Sequence, residues 1–230
     1  MIKISDRLMT VAAMIPEGGI LADVGTDHGY VPIRLLQEGK IDAAIAMDVN
    51  EGPLARAKAH AMENDLMEKI TLRLSDGLEK LKPGEADTLL IAGMGGKLMA
   101  RILSDGVDVF TSMKTAILQP QSDLDVVRGF VLAHGFDIVD ETMLIDDGKY
   151  YTVMKVVPGE AEAYSEADLV FGKINIEKKS SVLRALIERD QRIYHGILLK
   201  LSDDPEKHKE RIAEISAYQA LMQEAMARMA

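Results

Sequence analysis

The alternation of short apolar runs with helix-like segments limits the folds open to this chain of 230 residues. Five runs have the length and composition of strands, and segments with helical spacing separate them. The runs are Ile20–Val24, Ala43–Met47, Ile70–Leu74, Thr88–Ala92 and Thr115–Leu118, and the helical segments are Val31–Glu38, Pro53–Asn64, Leu78–Leu81, Lys97–Ser104 and Ser122–His134. Strands that alternate with helices form βαβ units, so we predict an α/β fold with a parallel sheet.

Two further apolar runs, Phe136–Ile145 and Tyr150–Val157, break this rhythm. Only the sequence Asp-Asp-Gly-Lys at 146–149 lies between them, which is a gap of hairpin size. A parallel pair would need a long crossover, so the last strand must run antiparallel to its neighbour. Five parallel strands followed by a hairpin are typical of the Rossmann-like seven-stranded methyltransferase sheet, whereas an ordinary dehydrogenase ends its sheet on parallel strands.

Helical periodicity replaces the alternation after Pro158-Gly159. A helix is predicted over Ala163–Glu177, and two longer apolar stripes follow it. The short segment Ser202–Glu206 separates these stripes and places Pro205 after an acidic N-cap, where a helix begins. We therefore predict a C-terminal antiparallel helical hairpin (coiled coil), with its Met residues in the apolar seam.

These patterns divide the chain into a methyltransferase domain, residues 1–158, and a helical coiled-coil domain, residues 159–230. If few contacts cross that boundary, the first domain should fold and bind its cofactor without the second.

Composition excludes several kinds of site. The chain has no cysteine, which removes disulfides, thiolate metal ligands and a cysteine nucleophile, and we expect no metal. No apolar run approaches the ~20 residues that span a bilayer, so we expect a cytoplasmic protein with no membrane partner.

The net charge of −10 argues at first against a nucleic-acid partner. Residues 173–192, however, contain six basic and three acidic side chains. Phosphate binding depends on local charge, so this stretch could hold phosphates, although composition alone favours a solvated helix face. The six basic residues are Lys173, Lys178, Lys179, Arg184, Arg189 and Arg192.

The first predicted strand runs into Asp23-Val24-Gly25-Thr26-Asp27-His28-Gly29, at the edge of the sheet where α/β proteins bind ligands. The dinucleotide pattern G-x-G-x-x-G is missing, and Asp27 stands where its central glycine would be. A carboxylate there repels a pyrophosphate but suits S-adenosylmethionine, which carries an ammonium and a sulfonium group. His28 is expected to shape this loop, and His134 to cap a helix C-terminus.

Acidic residues also follow the second and third strands. Asp48 lies 23 residues beyond Gly25, a spacing that suits hydrogen bonds to both ribose hydroxyls. Asp76 follows the third strand, where it could accept from an adenine amino group. Three acids after three successive strands favour S-adenosylmethionine over a nicotinamide cofactor.

The fourth strand ends in Ala92-Gly93-Met94-Gly95-Gly96, the loop that meets the methyl acceptor in this fold. Methyltransferases that modify an adenine amino group typically carry Asn/Asp-Pro-Pro-aromatic here, and this loop lacks such side chains. A ring nitrogen already presents a lone pair, so its methylation requires positioning and no general base. We expect Gly93–Gly96 and Gln119–Gln121 to border the acceptor pocket, and no catalytic side chain is assigned.

Several segments together resemble the bacterial tRNA (adenine-22) N1-methyltransferase family. They are Ile4-Ser5-Asp6-Arg7-Leu8, Leu21–Pro32 with its Asp27-His28 pair, Ile91–Gly96 and Leu118-Gln119-Pro120-Gln121. The similarity extends to the helical tail, which in that family is an antiparallel coiled coil. The resemblance implies methyl transfer from S-adenosylmethionine to N1 of adenine 22 in the tRNA D-arm, so the base must leave its pairing before attack.

Two sets of site residues follow from these patterns and from the resemblance. The expected cofactor residues are Asp23, Gly25, Thr26, Asp27, His28, Gly29, Asp48, Val49, Asp76, Gly77, Ala92, Gly93 and Met94. The expected tRNA-binding residues are Arg7, Tyr30, Gly95, Gly96, Gln119 and Gln121, together with the six basic residues of 173–192.

Other interpretations remain open at this stage. The chain could be a methyltransferase for a small metabolite or a protein, with the tail as a dimerisation element, although we favour a monomer. It could also be a non-catalytic scaffold whose coiled coil recruits a partner. A scaffold has no need of Asp48 or Asp76, which disfavours that alternative.

Overall fold

A computed structural model describes residues 2–230. Seven strands form one sheet in the order β3-β2-β1-β4-β5-β7-β6. They are β1 Ile20–Val24, β2 Ala43–Asp48, β3 Ile70–Leu74, β4 Thr88–Met94, β5 Thr115–Pro120, β6 Phe136–Asp146 and β7 Lys149–Pro158. The first five strands are parallel, and β7 runs antiparallel to both β5 and β6. The predicted seven-stranded methyltransferase arrangement is confirmed.

Helices cover both faces of this sheet. In the first 158 residues they are α1 Asp6–Met14, α2 Tyr30–Gln37, α3 Glu51–Glu63, α4 Gly96–Asp105, α5 Val107–Thr111 and α6 Leu124–Ala133. Two apolar clusters, one on each face of the sheet, bury the central strands. The helix predicted over Leu78–Leu81 is wrong, because those residues form turns, and the sequence did not indicate α5. His134 caps the C-terminus of α6, as predicted.

The tail contains α7 Glu166–Phe171, α8 Lys173–Glu177, α9 Ser181–Leu201 and α10 Lys209–Arg228. The long helices α9 and α10 pack together through buried Leu, Ile and Met side chains, so the predicted hairpin and its methionine seam are confirmed. The prediction that the second helix begins at Pro205 is wrong. Residues 202–208 form turns, in which the Asp204 carboxylate accepts from the Lys207 backbone N–H.

The helix predicted over Ala163–Glu177 is interrupted at Gly172, which has φ +89°. A Cβ on Gly172 would overlap the carboxylate of Glu141 and lie 2.9 Å from the guanidinium of Arg128. The backbone must therefore approach this ion pair closely, and a side chain at residue 172 would prevent it.

Arg128 of α6 and Glu141 of β6 form that pair at 2.8 Å, and both side chains are fully buried. The guanidinium also donates to the carbonyls of Leu169 and Val170 in α7. Met143 of β6 joins the apolar cluster of the tail. This packing contradicts the expectation that few contacts cross the boundary at residue 158.

Within residues 2–230, no helix has the length and apolar character that crossing a membrane requires.

Candidate active site

The loop after β1 is fixed by contacts with the neighbouring strand. The backbone N–H groups of Gly25 and Thr26 both donate to the carbonyl of Met47 in β2, at 2.8 and 2.9 Å. Gly25 has φ +73°, a left-handed conformation that favours glycine, and its Cα lies close to the end of the flexible Met94 side chain. The glycine therefore allows the β1 and β4 loops to approach each other at the point where the strand order reverses.

Asp23 supplies a buried carboxylate beneath this loop. Its side chain accepts a hydrogen bond of 2.6 Å from the Thr26 hydroxyl, and the residue is 7% exposed. Burial raises the pKa of Asp23 to about 6, and the carboxylates of Asp48 and Asp27 add to the shift, while the Thr26 hydrogen bond opposes it. A cation bound nearby would relieve both the desolvation and the repulsion.

The acids at the ends of β2 and β3, Asp48 and Asp76, lie on the same edge of the sheet as Asp23. Asp48 is half-buried, its carboxylate accepts from the Asn50 N–H at 2.7 Å, and Val49 beside it is exposed. The Ser75 N–H donates to the Asp48 carbonyl at 2.9 Å, which ties the Asp76-Gly77 loop to the end of β2. The sheet therefore brings together the three predicted acids.

His28 lies in a stacked cluster beside the cofactor loop. Its ring stacks on Tyr30 with centroids 5.0 Å apart, and His60 of α3 stacks on both rings. Arg56 Nε donates to His28 Nε2 at 3.1 Å, and Asp27 Oδ1 lies 3.2 Å from the same nitrogen. These contacts agree with a role in shaping the loop. Sequence reasoning missed Arg56 and His60, although their spacing of four on one helix was a visible signal.

The loop after β4 forms the other wall. A register shift at Ala92 and Met94 distorts β4, and the Gly96 N–H donates to the Ser122 carbonyl at 3.0 Å. Gly95 is the N-cap of α4, so Gly93–Gly96 join the strand to the start of that helix.

Arg7 of α1 reaches this loop from the N-terminal helix. Its guanidinium donates to the Gln119 side chain at 2.7 Å and lies 5.5 Å from the centroid of the Tyr151 ring. Gln119 is fully buried, whereas Gln121 is exposed and its N–H donates to the Met94 carbonyl at 2.8 Å.

A small cavity of about 60 Å³ lies between Arg7, Asp23, Gly25, Tyr30 and Ala92. The side chains of Arg7 and Gln121 thus lie beside Gly93. The sequence analysis did not identify Tyr151, because an aromatic residue inside a predicted strand does not indicate a site.

The six basic residues of 173–192 do not form one free patch. Three of them form ion pairs: Lys173 with Glu162, Lys178 with Asp140 and Arg189 with Asp190. Lys179 and Arg184 donate to the carbonyls of Ala230 and Met229 at the end of α10. Arg192 is exposed, and within residues 2–230 it forms no ion pair.

Known proteins share this architecture. A family model described as a methyltransferase domain matches residues 4–154. Over 97% of both chains, the sequence is 34% identical to the tRNA (adenine(22)-N(1))-methyltransferase of Bacillus subtilis (strain 168).

Two solved structures match over nearly the whole chain. Sp1610 of Streptococcus pneumoniae, solved with S-adenosyl-L-methionine, is 34% identical with a TM-score of 0.86, over 97% of this chain and 99% of that one. TrmK of M. capricolum, solved with the cofactor product S-adenosyl-homocysteine, is 26% identical with a TM-score of 0.88, over 99% of both. With this fold, these loops and this full-length similarity, the chain belongs to the bacterial tRNA (adenine-22) N1-methyltransferase family.

Proposed function

We propose that this protein transfers a methyl group from S-adenosylmethionine to N1 of adenine 22 in tRNA. The observation that carries the proposal is the 34% identity to the Bacillus subtilis enzyme over 97% of both chains, which includes the tail. The acid-lined strand ends and the missing amino-binding motif support it independently.

The residues at the strand ends fit the cofactor. Asp23 is a buried carboxylate with a raised pKa, and a cationic ligand would stabilise its charged form. Asp48 would accept from the ribose hydroxyls, and Asp76 would accept from the adenine amino group. The loop Gly25–Gly29 would bring backbone close to the ligand, and Val49, Gly77 and Ala92–Met94 would border it. When bound, S-adenosylmethionine supplies an electrophilic methyl group on its sulfonium.

The protein's contribution to the transfer is to position the acceptor and to stabilise positive charge. N1 of adenine attacks through its own lone pair, so no side chain has to remove a proton. The methylated base is cationic, and carboxylates such as Asp27, which is 76% exposed at its side chain, favour that charge. Arg7 and Gln119 hold the wall around Gly93 through their hydrogen bond.

The tail supports a monomer as the proposed state, because α9 and α10 bury Leu183, Ile187 and Met222 within one chain. A cytoplasmic location remains a prediction, as do the tRNA contacts of the six basic residues of 173–192.

The test is direct. Incubation with labelled cofactor and unmodified tRNA, followed by digestion and mass spectrometry, should yield 1-methyladenosine. A matched tRNA with guanine in place of adenine 22 should accept no methyl group. Production of N6-methyladenosine alone, or methylation of a free metabolite without any tRNA product, would contradict the proposal.

A further inference from the structure

A cleft of about 420 Å³ lies where the β6–β7 hairpin faces the helical tail. Gln121 and Asp125 border it on the side of the sheet, Tyr150 lines it from β7, and Leu186 and Arg189 line it from α9. Its volume is within the range of small-molecule and cofactor pockets, and its lining mixes apolar side chains with a few polar groups, as such pockets do.

A cationic and an aromatic side chain, Arg189 and Tyr150, form one wall of the cleft. The Arg189 guanidinium lies over the Tyr150 ring, 4.6 Å from its centroid. Two hydrogen bonds, of 2.9 and 2.7 Å, hold that guanidinium to Asp190 Oδ1, and the Tyr218 hydroxyl donates to Asp190 Oδ2 at 3.3 Å. Asp190 therefore fixes the plane of the guanidinium instead of leaving it to move in solvent.

This chemistry suits a nucleobase. Unstacked bases bind proteins by stacking on aromatic rings and guanidinium planes, and by hydrogen bonds at their edges. Tyr150 and Arg189 offer the planes, and Gln121 and Asp125 offer an amide and a carboxylate to the edge of a base.

The cleft adjoins the acceptor loop but is separate from the cofactor end of the site. Gln121 borders the cleft, and it also donates its N–H to the Met94 carbonyl and lies beside Gly93. Within residues 2–230, the residues that line the cleft do not include Asp23 or Gly25. A base bound there would be next to the reacting base and would not be the one that receives the methyl group.

We infer that this cleft between the β6–β7 hairpin and α9 binds, by stacking, an unpaired nucleobase of the tRNA that neighbours the methylated adenine. The inference rests on the proposed function for the identity of the RNA. It gives the junction between sheet and tail a role in RNA binding, because Tyr150 comes from the sheet and Arg189 from the tail. A free nucleotide would share this chemistry, so the experiment has to distinguish the two sources.

The experiment measures tRNA affinity and turnover for five full-length variants. Tyr150→Ala and Arg189→Ala should weaken tRNA binding by about 5- to 150-fold each, the usual range for the loss of one base-stacking contact. Tyr150→Phe should keep near wild-type affinity because it keeps the ring. Arg189→Lys should bind poorly because it keeps the charge but loses the plane. Arg211→Ala, which removes another ion-paired arginine of the tail, should leave affinity unchanged.

A second arm locates the base. Two tRNAs carry an abasic residue on one side or the other of adenine 22. For one of the two abasic tRNAs, affinity for the wild-type protein should be as low as the affinity of intact tRNA for Tyr150→Ala. The affinity of that abasic tRNA should not fall further when Tyr150→Ala replaces the wild type. Cofactor affinity and thermal unfolding of every variant should match the wild type, which separates a lost contact from a lost fold.

Wild-type affinity for intact tRNA in Tyr150→Ala and Arg189→Ala would overturn the inference. The inference would also be overturned if Tyr150→Ala weakened the binding of both abasic tRNAs by the same factor as it weakens the binding of intact tRNA. Adenosine monophosphate binding that depends on Tyr150, with unchanged tRNA affinity, would assign the cleft to a free nucleotide and overturn the RNA source. Failure of the wild type to form 1-methyladenosine would refute the proposed function instead, and the binding measurements would still decide the cleft.

Discussion

The cofactor end of the sheet and the helical tail differ in what fixes the surroundings of their charged side chains. At the cofactor end, Asp23 lies near the end of β1, Asp48 ends β2 and Asp76 follows β3, so the structure places all three on one edge of the sheet. In the tail, the helices lie close to where their periodicity indicates, yet five of the six basic residues of 173–192 contact a carboxylate or a carbonyl that the sequence did not reveal.

The difference arises from how each region brings residues together. Parallel strands carry their carboxyl ends to the same edge, so the position of a residue after a strand fixes its place in the site. A helix gives a side chain a face but not a partner. That partner comes from whichever element packs against the face, and here β6 and the end of α10 supply it for Lys178 and Lys179.

The largest effect should come from the buried ion pair between the two regions. Arg128→Met leaves Glu141 as an unpaired carboxylate with no exposure to solvent, so the free energy of unfolding should fall by about 3–5 kcal/mol. Urea denaturation of the full-length protein, followed by circular dichroism, measures this. The double variant Arg128→Met/Glu141→Leu should recover much of the loss because it removes both charges. A single variant as stable as the wild type would show that the junction does not depend on this pair.

The second effect concerns Asp23, whose pKa is raised to about 6. Because its folded pKa lies above the unfolded value of 3.8, Asp23 favours the fold at low pH, and this contribution is lost as pH rises through about 6. The side chain in Asp23→Asn does not titrate. The free energy of unfolding of the variant minus that of the wild type should therefore be up to about 3 kcal/mol larger at pH 8 than at pH 4. Urea denaturation at both pH values tests this. A stability difference that is the same at both would exclude the raised pKa.

The same carboxylate should link cofactor affinity to pH. A cation beside Asp23 lowers its pKa, so wild-type binding of S-adenosylmethionine should strengthen between pH 5 and pH 7.5 with release of a proton. In Asp23→Asn, calorimetry in buffers of different ionisation enthalpy should show a smaller proton release.

The third effect tests the ribose contact. Asp48→Ala should weaken cofactor binding by about 1.5–3 kcal/mol, on the order of 10- to 150-fold, because two hydroxyls lose their acceptor. Titration calorimetry measures it. Asp42→Ala, which removes an acid just before the same strand begins, should bind the cofactor as the wild type does. Unchanged cofactor affinity in Asp48→Ala, or tighter binding of NAD than of S-adenosylmethionine, would contradict the assignment of the cofactor site.

The smallest effect should come from Arg192, the one of the six basic residues of 173–192 whose side chain forms neither an ion pair nor a hydrogen bond within residues 2–230, and which is exposed. If it contacts a phosphate, Arg192→Glu should flatten the dependence of tRNA affinity on salt by up to about 0.9 in logarithmic slope. Gel-shift titrations at several salt concentrations measure this. Arg211→Glu, in the first turn of α10, is the control reversal. Equal slopes for the wild type and both variants would show that Arg192 makes no phosphate contact.

Local patterns predicted most of the sheet. The bounds of β1 and β3 agree with their apolar runs, and the short gap at 146–149 predicted the antiparallel β7. One error lies where a long-range contact decides the structure. Gly172 interrupts the helix predicted over Ala163–Glu177 because its backbone has to approach Arg128 and Glu141.

The sequence by itself determined the order of the strands along the chain, the hairpin at the end of the sheet and the acids at the ends of β1, β2 and β3. All of these depend on periodicity and on residues near one another in the chain. The tertiary structure decided that Arg128 is buried against α7, that Arg7 reaches Gln119, and that Arg189 lies over Tyr150. Those partners are separated by about 40 residues or more, and only the packing of the elements brings their side chains together.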